Sequence, residues 1–223
     1  MSLRRGDVLR AAMEILNTYG LADLTMRRLA STLGVQPGAL YWHFSNKQTL
    51  LAAIADEILR ELPACPSGDW RTGVRAWALR LHDLLRAHRS AAELVSGVLA
   101  LRTWEESPGR DIERWLAASG VPPRSARAAA SGVLHLVLGH TFDEEQAAHL
   151  AELGVRDQGV PSDSRELLEG GVALLLAGVQ AAASQGLTPG EAGQTSPGHP
   201  PASSSVPDRA EPEPSAPKSR GRS

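Results

Sequence analysis

Two short segments with helical apolar spacing, separated by a glycine, constrain the fold of this chain more than any other feature. The first covers residues 25–33 and opens on Thr25, whose hydroxyl can cap a helix N-terminus. The second covers residues 37–44 and opens on Pro37, which suits the first turn of a helix because an N–H there would have no helical partner. Two short helices joined by a turn at Gly34 are typical of a helix-turn-helix.

The rest of the chain up to residue 186 also carries apolar residues at helical spacing, and no segment favours a β-strand. A first amphipathic helix is expected over residues 4–19, ended by Gly20. A longer helix is expected up to residue 62, capped by Ser45 or Asn46. Five further helices are predicted over residues 70–87, 93–101, 108–118, 124–153 and 165–184. The sequence therefore predicts an all-α protein.

These patterns divide the chain into three parts. Residues 1–62 are predicted to form a three-helix helix-turn-helix domain with its connecting helix, and residues 63–186 a larger helical bundle. Residues 187–223 hold eight of the 15 prolines and few large apolar side chains, so this tail is predicted to be disordered. The basic residues at its end could contact DNA nonspecifically or belong to a solvated tail.

Composition limits the partners and the compartment. The net charge is −2, so attraction to nucleic acid must come from a local surface, and residues 1–50 supply one with six basic against three acidic side chains. No stretch reaches the roughly 18 uninterrupted apolar residues of a membrane span, and the N-terminus lacks an apolar run of secretory type. Cys65 is the single cysteine, which excludes an intramolecular disulfide. We expect a cytoplasmic protein with no membrane partner.

The second short helix carries side chains that suit the major groove of DNA. Tyr41 and His43 offer polar groups beside Lys47 at the start of the next helix, and such groups contact phosphates or base edges. Packing in the hydrophobic core is the alternative for the apolar residues interleaved with them. We expect it for Leu40 and Phe44, whereas Trp42 is open between the two interpretations.

Residues 24–30, 33–35 and 40–51 resemble the DNA-binding domain of the TetR family of transcriptional regulators. The resemblance implies an all-helical homodimer, with a three-helix head that binds double-stranded DNA and a larger domain for dimerisation and a small-molecule effector. The residues that match the family's contact positions, most of them phosphate contacts, are Thr25, Arg27, Tyr41, Trp42, His43 and Lys47. Arg27 is the best candidate among them for reaching a base.

The first turn of the second short helix should choose the bases. Its sequence differs from that of the tetracycline repressors and leaves only backbone or methyl contacts from Pro37, Gly38 and Ala39. We therefore expect phosphate contacts like those of the family together with a different sequence preference.

The larger domain resembles, more distantly, the tetracycline-repressor type through Trp70 and residues 87–89, 133–139 and 143–145. Val95 stands where those repressors have the histidine that binds drug-chelated magnesium. We therefore predict a more apolar effector and no tetracycline binding. The predicted effector-binding residues are Trp77, Leu81, Val95, Leu99, Trp104, Leu134, His135 and Leu138.

Two features of the larger domain have alternative explanations. Small residues crowd the predicted helices 124–153 and 165–184, which favours a four-helix dimer interface, with packing inside one protomer as the alternative. His135 lies among leucines and valines, so it is either a pocket residue or a histidine satisfied within the core.

Histidines and glutamates on the predicted helix 124–153 raise a metal hypothesis, with His140, Glu144 and His149 as its candidate ligands. Carboxylate-bridged metal bundles use Glu-x-x-His from two helices, whereas this chain has a single pair, Glu145 and His149, at the longer i to i+4 spacing. We predict no metal site, no cofactor and no enzymatic activity. A helical-bundle metal-binding protein or enzyme is the alternative from a different class.

The predicted function is that of a repressor that binds a palindromic operator as a homodimer and is released by a small, largely apolar effector. An effector in the larger domain would shift the helix that ends at residue 62 and change the separation of the two heads. A ligand-responsive activator and a ligand-binding scaffold without DNA affinity are the alternatives on the same fold.

Overall fold

The computed structural model describes residues 3–62, 68–101, 107–157 and 159–185, and all regular structure in them is α-helical. This confirms the predicted all-α fold class. The helices are α1 (Arg5–Tyr19), α2 (Met26–Thr32), α3 (Pro37–Tyr41), α4 (Lys47–Leu59), α5 (Trp70–Arg86), α6 (Ala91–Ala100), α7 (Arg110–Ala118), α8 (Pro123–Glu152) and α9 (Ser164–Gln185).

Helices α1, α2 and α3 form a small N-terminal unit that we call the head. The inner face of α1 buries apolar residues such as Leu16, and its last turn ends at Gly20, whose φ of 85° lies in the left-handed region. The Thr25 hydroxyl accepts the backbone N–H of Arg28 and so caps α2, as predicted. Helix α2 packs on both α1 and α3, which fixes α3 on the surface of the head.

Helix α4 connects the head to the helices that follow. The Asn46 side chain accepts the backbone N–H of Thr49 at 2.8 Å, which selects Asn46 over Ser45 as the cap. One face of α4 packs on α1, and α4 also packs on α5 and α6. Leu50, Ile54 and Ile58 are buried along it. Any shift of α4 is therefore transmitted to the head.

Helices α5 to α9 form the larger part of the protomer, which we call the body. Helix α8 packs against α5, α6, α7 and α9, so it is the central element. Asp69 caps α5 by accepting the backbone N–H of Thr72, and this hydrogen bond with its side-chain counterpart lowers the pKa of Asp69. Gly73 of α5 lies against Trp115 of α7, where an added Cβ would fall 1.4 Å from the ring.

The small residues of α8 and α9 serve two different faces. Added Cβ atoms at Gly132 and Gly171 would lie 3.0 and 3.2 Å from leucine side chains of the opposite helix, so these two glycines permit close packing inside the protomer. Gly170 and Gly178 have no neighbouring atom within 4 Å of such a Cβ. The intramolecular alternative thus explains some of the small residues, and others lie on an open face.

Helix α9 is apolar and yet exposed. Its residues Ser164–Ser184 are long and apolar enough to cross a membrane, and 17% of its most apolar window is buried. Leu167 and Leu174 are 62% and 77% exposed and share a face with Gly170 and Gly178 at helical spacing. This stripe of large and small apolar residues has no cover from the described part of the protomer.

Several boundaries differ from the predicted ones. Helix α4 ends at Leu59 and not at residue 62, α6 begins at Ala91 and not at residue 93, and α7 begins at Arg110 and not at residue 108. The predicted tail, residues 187–223, lies outside the described residues, as does Trp104. The proposed division at residues 62 and 63 stays a prediction.

Candidate DNA interface and ligand cleft

The outer surface of the head presents aromatic and basic side chains around the end of α3. Trp42 is 91% exposed and Tyr41 51% exposed, while His43 and Lys47 are half-buried. Leu40 and Phe44 are buried, as expected. The core interpretation of Trp42 is therefore wrong, because its ring stands in solvent.

The adjacent arginines of α2 lie in different environments. The Arg28 guanidinium stacks 3.8 Å from the centroid of the Tyr19 ring and forms an ion pair with Asp23. Arg27 is exposed, and no hydrogen bond or ion pair to the described part of the chain holds its side chain. Arg27 is thus available to a partner, whereas Arg28 already has partners within the head.

The turn and the first residues of α3 expose the backbone. Gly34 adopts a φ of 66°, a conformation that L side chains rarely adopt, and this lets the chain reverse between α2 and α3. Pro37 is the first helical residue, and Gly38 has open space where a Cβ would project. Pro37 and Gly38 are exposed and Ala39 is half-buried, so the surface of a binding partner can come close to the backbone here.

The body contains a cleft of about 650 Å³ between α6, α7 and α8. Leu99, Leu134, His135 and Leu138, four of the predicted effector-binding residues, line this cleft, and their role in binding stays a prediction. His135 is exposed and not enclosed in the core. Its Nδ1 atom lies 2.7 Å from the backbone oxygen of Ser131.

The other predicted pocket residues lie elsewhere. Trp77, Leu81 and Val95 are buried in the hydrophobic core, at 2%, 0% and 0% exposure, and do not line the cleft. Charged side chains line it in their place, among them Arg127 and Glu113. The cleft therefore has an apolar wall on α8 and a charged margin that the sequence pattern did not indicate.

The second half of α8 contributes to a polar cluster of His82, His140, Glu144 and Ser164. Glu144 is 4% exposed, and its two oxygens lie 2.7 Å from His82 Nε2 and 2.6 Å from Ser164 Oγ. Burial on its own would raise the pKa of Glu144, but hydrogen bonds from Ser164 and His82 and the charge of Arg86 hold it below its usual range. Glu144 is therefore ionised at neutral pH.

The spacing in the sequence indicated His140 and Glu144 but not His82, because His82 lies 62 residues from Glu144 along the chain. His149 does not join the cluster, since it lies beside Glu152 and Arg89 at the protein surface. The candidate ligands of the alternative metal hypothesis, His140, Glu144 and His149, are thus not brought together, because His149 lies apart from the other two.

Glu145 reaches in a different direction and binds the start of α6. One of its oxygens accepts the backbone N–H of Ala92 at 3.1 Å, and its other oxygen is buried without a hydrogen-bond partner. Burial raises the pKa of Glu145 to about 7, against the opposing effect of the backbone hydrogen bonds from Ala92 and its neighbour. Helix α6 is therefore capped by a residue of α8 and not by its own sequence.

Comparison with known proteins adds to this geometry. Residues 8–54, which run from α1 into α4, match the family described as bacterial regulatory proteins, tetR family. The chain is 36% identical over 148 residues to the tetracycline repressor protein class G of Vibrio anguillarum. The aligned residues cover 64% of this chain and 70% of that protein.

Solved structures match most of the protomer. Mycobacterium smegmatis BioQ is 39% identical, with a TM-score of 0.74 over 80% of this chain and 98% of its own. BioQ with its double-stranded DNA operator is 38% identical, with a TM-score of 0.65 over 80% of this chain and 99% of its own. A variant of TetR from Acinetobacter baumannii AYE in complex with minocycline is 32% identical, with a TM-score of 0.67 over 81% of this chain and 98% of its own.

Proposed function

Because the chain belongs to the TetR family of DNA-binding transcriptional regulators, we propose that it is a homodimeric repressor that binds a palindromic operator and is released by a small effector. The observation that carries the proposal is the outer surface of the head, where α3 ends in exposed aromatic groups beside an unengaged arginine. Trp42 is 91% exposed, and Arg27 has no hydrogen bond or ion pair among the described residues, so both side chains are open to a partner. They suit contacts to phosphates and base edges. Such a protein acts where the DNA is, in the cytoplasm.

The DNA contacts that we propose divide into two groups. Thr25, Tyr41, Trp42, His43 and Lys47 fix the position of the head by contacting the phosphate backbone. The bases are contacted by Arg27 and by the open backbone of α3, whose first residues are Pro37, Gly38 and Ala39. The structure of BioQ with its double-stranded DNA operator supports DNA binding by a protein of this fold, because it matches 80% of this chain at 38% identity.

The stripe on α9 supports the dimer. Leu167, Gly170, Leu174 and Gly178 form an exposed apolar face along the helix, and a second copy of the same face would bury it. A two-fold dimer presents its two heads symmetrically, at a separation of about 34–36 Å for successive major grooves, so the operator is a palindrome. Repression follows by occlusion of the promoter.

The cleft between α6, α7 and α8 is the proposed effector site. Leu99, Leu134 and Leu138 supply an apolar wall, and His135 with the charged margin of Arg127 and Glu113 supplies polar groups beside it. The proposed ligand is therefore largely apolar with a polar or charged end. The complex of the Acinetobacter relative with minocycline supports a ligand site in this family. Val95 has no metal-ligating atom and does not line the cleft, so it offers no contact to drug-chelated magnesium, and we propose an effector other than magnesium-tetracycline.

Release from DNA requires that the effector favour a different separation of the heads. Helix α6 lines the cleft through Leu99, and α4 packs on α6 and on α1 of the head. A ligand that displaces α6 therefore moves α4, and through α4 the head. An effector that stabilised the DNA-binding state instead would make the protein a ligand-responsive activator.

The DNA contacts can be tested with the two tyrosines of the chain, since Tyr19 and Tyr41 are both 51% exposed. Electrophoretic mobility shifts with the intergenic DNA that flanks the gene measure operator affinity for Tyr41→Ala and His43→Ala. Tyr19→Ala is the matched control, because it removes an equal side chain away from α3. We expect the first two variants to lose affinity and the control to keep most of it. Unchanged binding by both Tyr41→Ala and His43→Ala refutes the assignment.

A reporter gene behind the bound promoter separates the two regulatory modes. Deletion of the regulator raises expression if it is a repressor and lowers it if it is an activator. Calorimetry with magnesium-tetracycline tests the effector class, because tight binding would overturn the proposal of a different, more apolar ligand.

A further inference from the structure

We propose that His82, His140 and Glu144 form a binding site for a divalent transition-metal ion of the zinc type, with the hydroxyl of Ser164 beside it. One ligand atom from each of the three residues lies within 4.8 Å of the other two. The imidazole rings of His82 and His140 have centroids 5.9 Å apart and face the same carboxylate. Imidazole nitrogen with carboxylate oxygen is a donor set that suits Zn²⁺, Co²⁺ and Ni²⁺ better than Mg²⁺ or Ca²⁺.

The site is enclosed and joins three helices. His82 on α5 is 1% exposed, Glu144 on α8 is 4% exposed, and Ser164, the first residue of α9, is 6% exposed. The side chain of His140, one turn before Glu144, is 19% exposed. None of these residues lines the cleft assigned to the effector, so the site is separate from it.

The protons of the metal-free cluster leave one buried atom unsatisfied. The Ser164 hydroxyl has one hydrogen, which it donates to Glu144 Oε1, so it accepts from His140 Nε2 at 2.9 Å. His82 donates from Nε2 to Glu144 Oε2 at 2.7 Å. In the neutral ring Nδ1 of His82 is then a bare acceptor, and it is buried with no hydrogen-bond partner. Without metal, the protons on Nε2 of His82 and of His140 thus occupy the positions that a cation would take.

A cation resolves this mismatch. It would bind Nε2 of His82 and Nε2 of His140, and the single proton of each neutral ring would move from Nε2 to Nδ1. The Asp83 carboxylate is 3.7 Å from Nδ1 of His82 and can accept its proton after a small movement. A histidine that binds metal through one nitrogen and donates from the other to a carboxylate is the usual arrangement around zinc.

The required movement is small. Two nitrogens that each lie 2.0–2.1 Å from zinc in a tetrahedral site are about 3.3 Å apart, so ligand atoms now within 4.8 Å must close by about 1.5 Å or less. His82 Nε2 and Glu144 Oε2 are already 2.7 Å apart, so most of this closing falls to His140, the most exposed of the three ligands. Arg86 lies 3.6 Å from Glu144 and opposes a cation, but its side chain is 49% exposed and can turn into solvent. A bound ion would tie the first turn of α9 to α5 and α8.

The test uses the untagged full-length protein, stripped of metal with a chelator. Zn²⁺ is titrated in by calorimetry, and Co²⁺ by the visible absorption of a tetrahedral complex. We expect one equivalent per protomer for the wild type, and a loss of affinity of more than about 100-fold for His140→Ala, because even outer-shell changes cost 10–100-fold. His149→Ala is the matched control, since it removes another histidine of α8 that lies outside the cluster, and it should bind as the wild type does.

His82→Asn is a second variant that removes a ligand, and circular dichroism checks that each variant is folded. His140 is partly exposed, so its replacement leaves a folded protein in which binding can be measured. Zinc should also raise the melting temperature of the wild type and of His149→Ala, and not that of His140→Ala. Absence of stoichiometric binding by the wild type, or equal binding by His140→Ala and His149→Ala, overturns the proposal.

Discussion

The neighbouring residues Arg27 and Arg28 of α2 allow a controlled test of the DNA interface. They have the same side chain and adjacent positions, but Arg28 is bound by Asp23 and Tyr19, and Arg27 has no partner among the described residues. Arg27→Ala should therefore weaken DNA binding without changing the stability of the fold. Arg28→Ala should lower the stability of the fold and leave DNA binding largely unchanged.

The magnitudes follow from the contacts. A bidentate arginine contact to a base provides about 1–3 kcal/mol of discrimination, and two heads double this, so Arg27→Ala should cost about 2–6 kcal/mol of operator affinity. If Arg27 contacts phosphate instead, the slope of log affinity against log salt falls by about 0.9 for each head. For Arg28→Ala, the exposed ion pair contributes up to about 1 kcal/mol and the cation–π contact about 0.5–1 kcal/mol, so the free energy of unfolding should fall by about 1 kcal/mol.

Fluorescence anisotropy with operator DNA at several salt concentrations measures the first effect, and urea unfolding measures the second. A mismatched operator separates base contacts from phosphate contacts, because loss of a base contact also reduces the preference for the correct sequence. The interpretation of the interface is refuted if Arg28→Ala loses as much operator affinity as Arg27→Ala while both variants stay folded.

Three further predictions concern the scaffold. Gly73→Ala should lower the free energy of unfolding in urea by about 1–3 kcal/mol, because the new Cβ would fall 1.4 Å from the Trp115 ring and overpack this contact. Asn46→Ala should cost about 1 kcal/mol in the same assay through loss of the α4 cap, whereas Asn46→Asp, which keeps an acceptor, should cost less. Leu174→Glu should give monomers in light scattering at concentrations at which the wild type is a dimer, since it places a charge on the exposed stripe of α9.

The fold was predictable because the signals that define it are local. The caps at Thr25 and Asn46 and the stop at Gly20 are read from single residues, and the apolar spacing of the long helices needs no distant partner. The start of α6 was misplaced for the opposite reason. Its first turn is held by Glu145, which follows it by more than fifty positions.

The candidate sites were predictable only where a family pattern or a short spacing pointed to them. Trp42 could not be placed from its apolar character, because α3 has five residues and a helix that short shows no periodicity. His82 was missed since nothing in the sequence of α5 indicates that it meets Glu144 of α8. Packing between helices that are distant in sequence brings such residues together, and a single sequence does not reveal it.

The way α6 is held indicates how a ligand in the cleft would act on the head. Its first turn is bound to α8 through Ala92 and Glu145, while its last turn contributes Leu99 and Ala100 to the cleft. A ligand there contacts the part of α6 farthest from the Glu145 contact, so we expect it to rotate α6 about its first turn. Since α4 packs on α6 and on α1, this rotation would move α4, and through α4 the head. Rotation about a fixed end can change the separation of the two heads without unfolding either one.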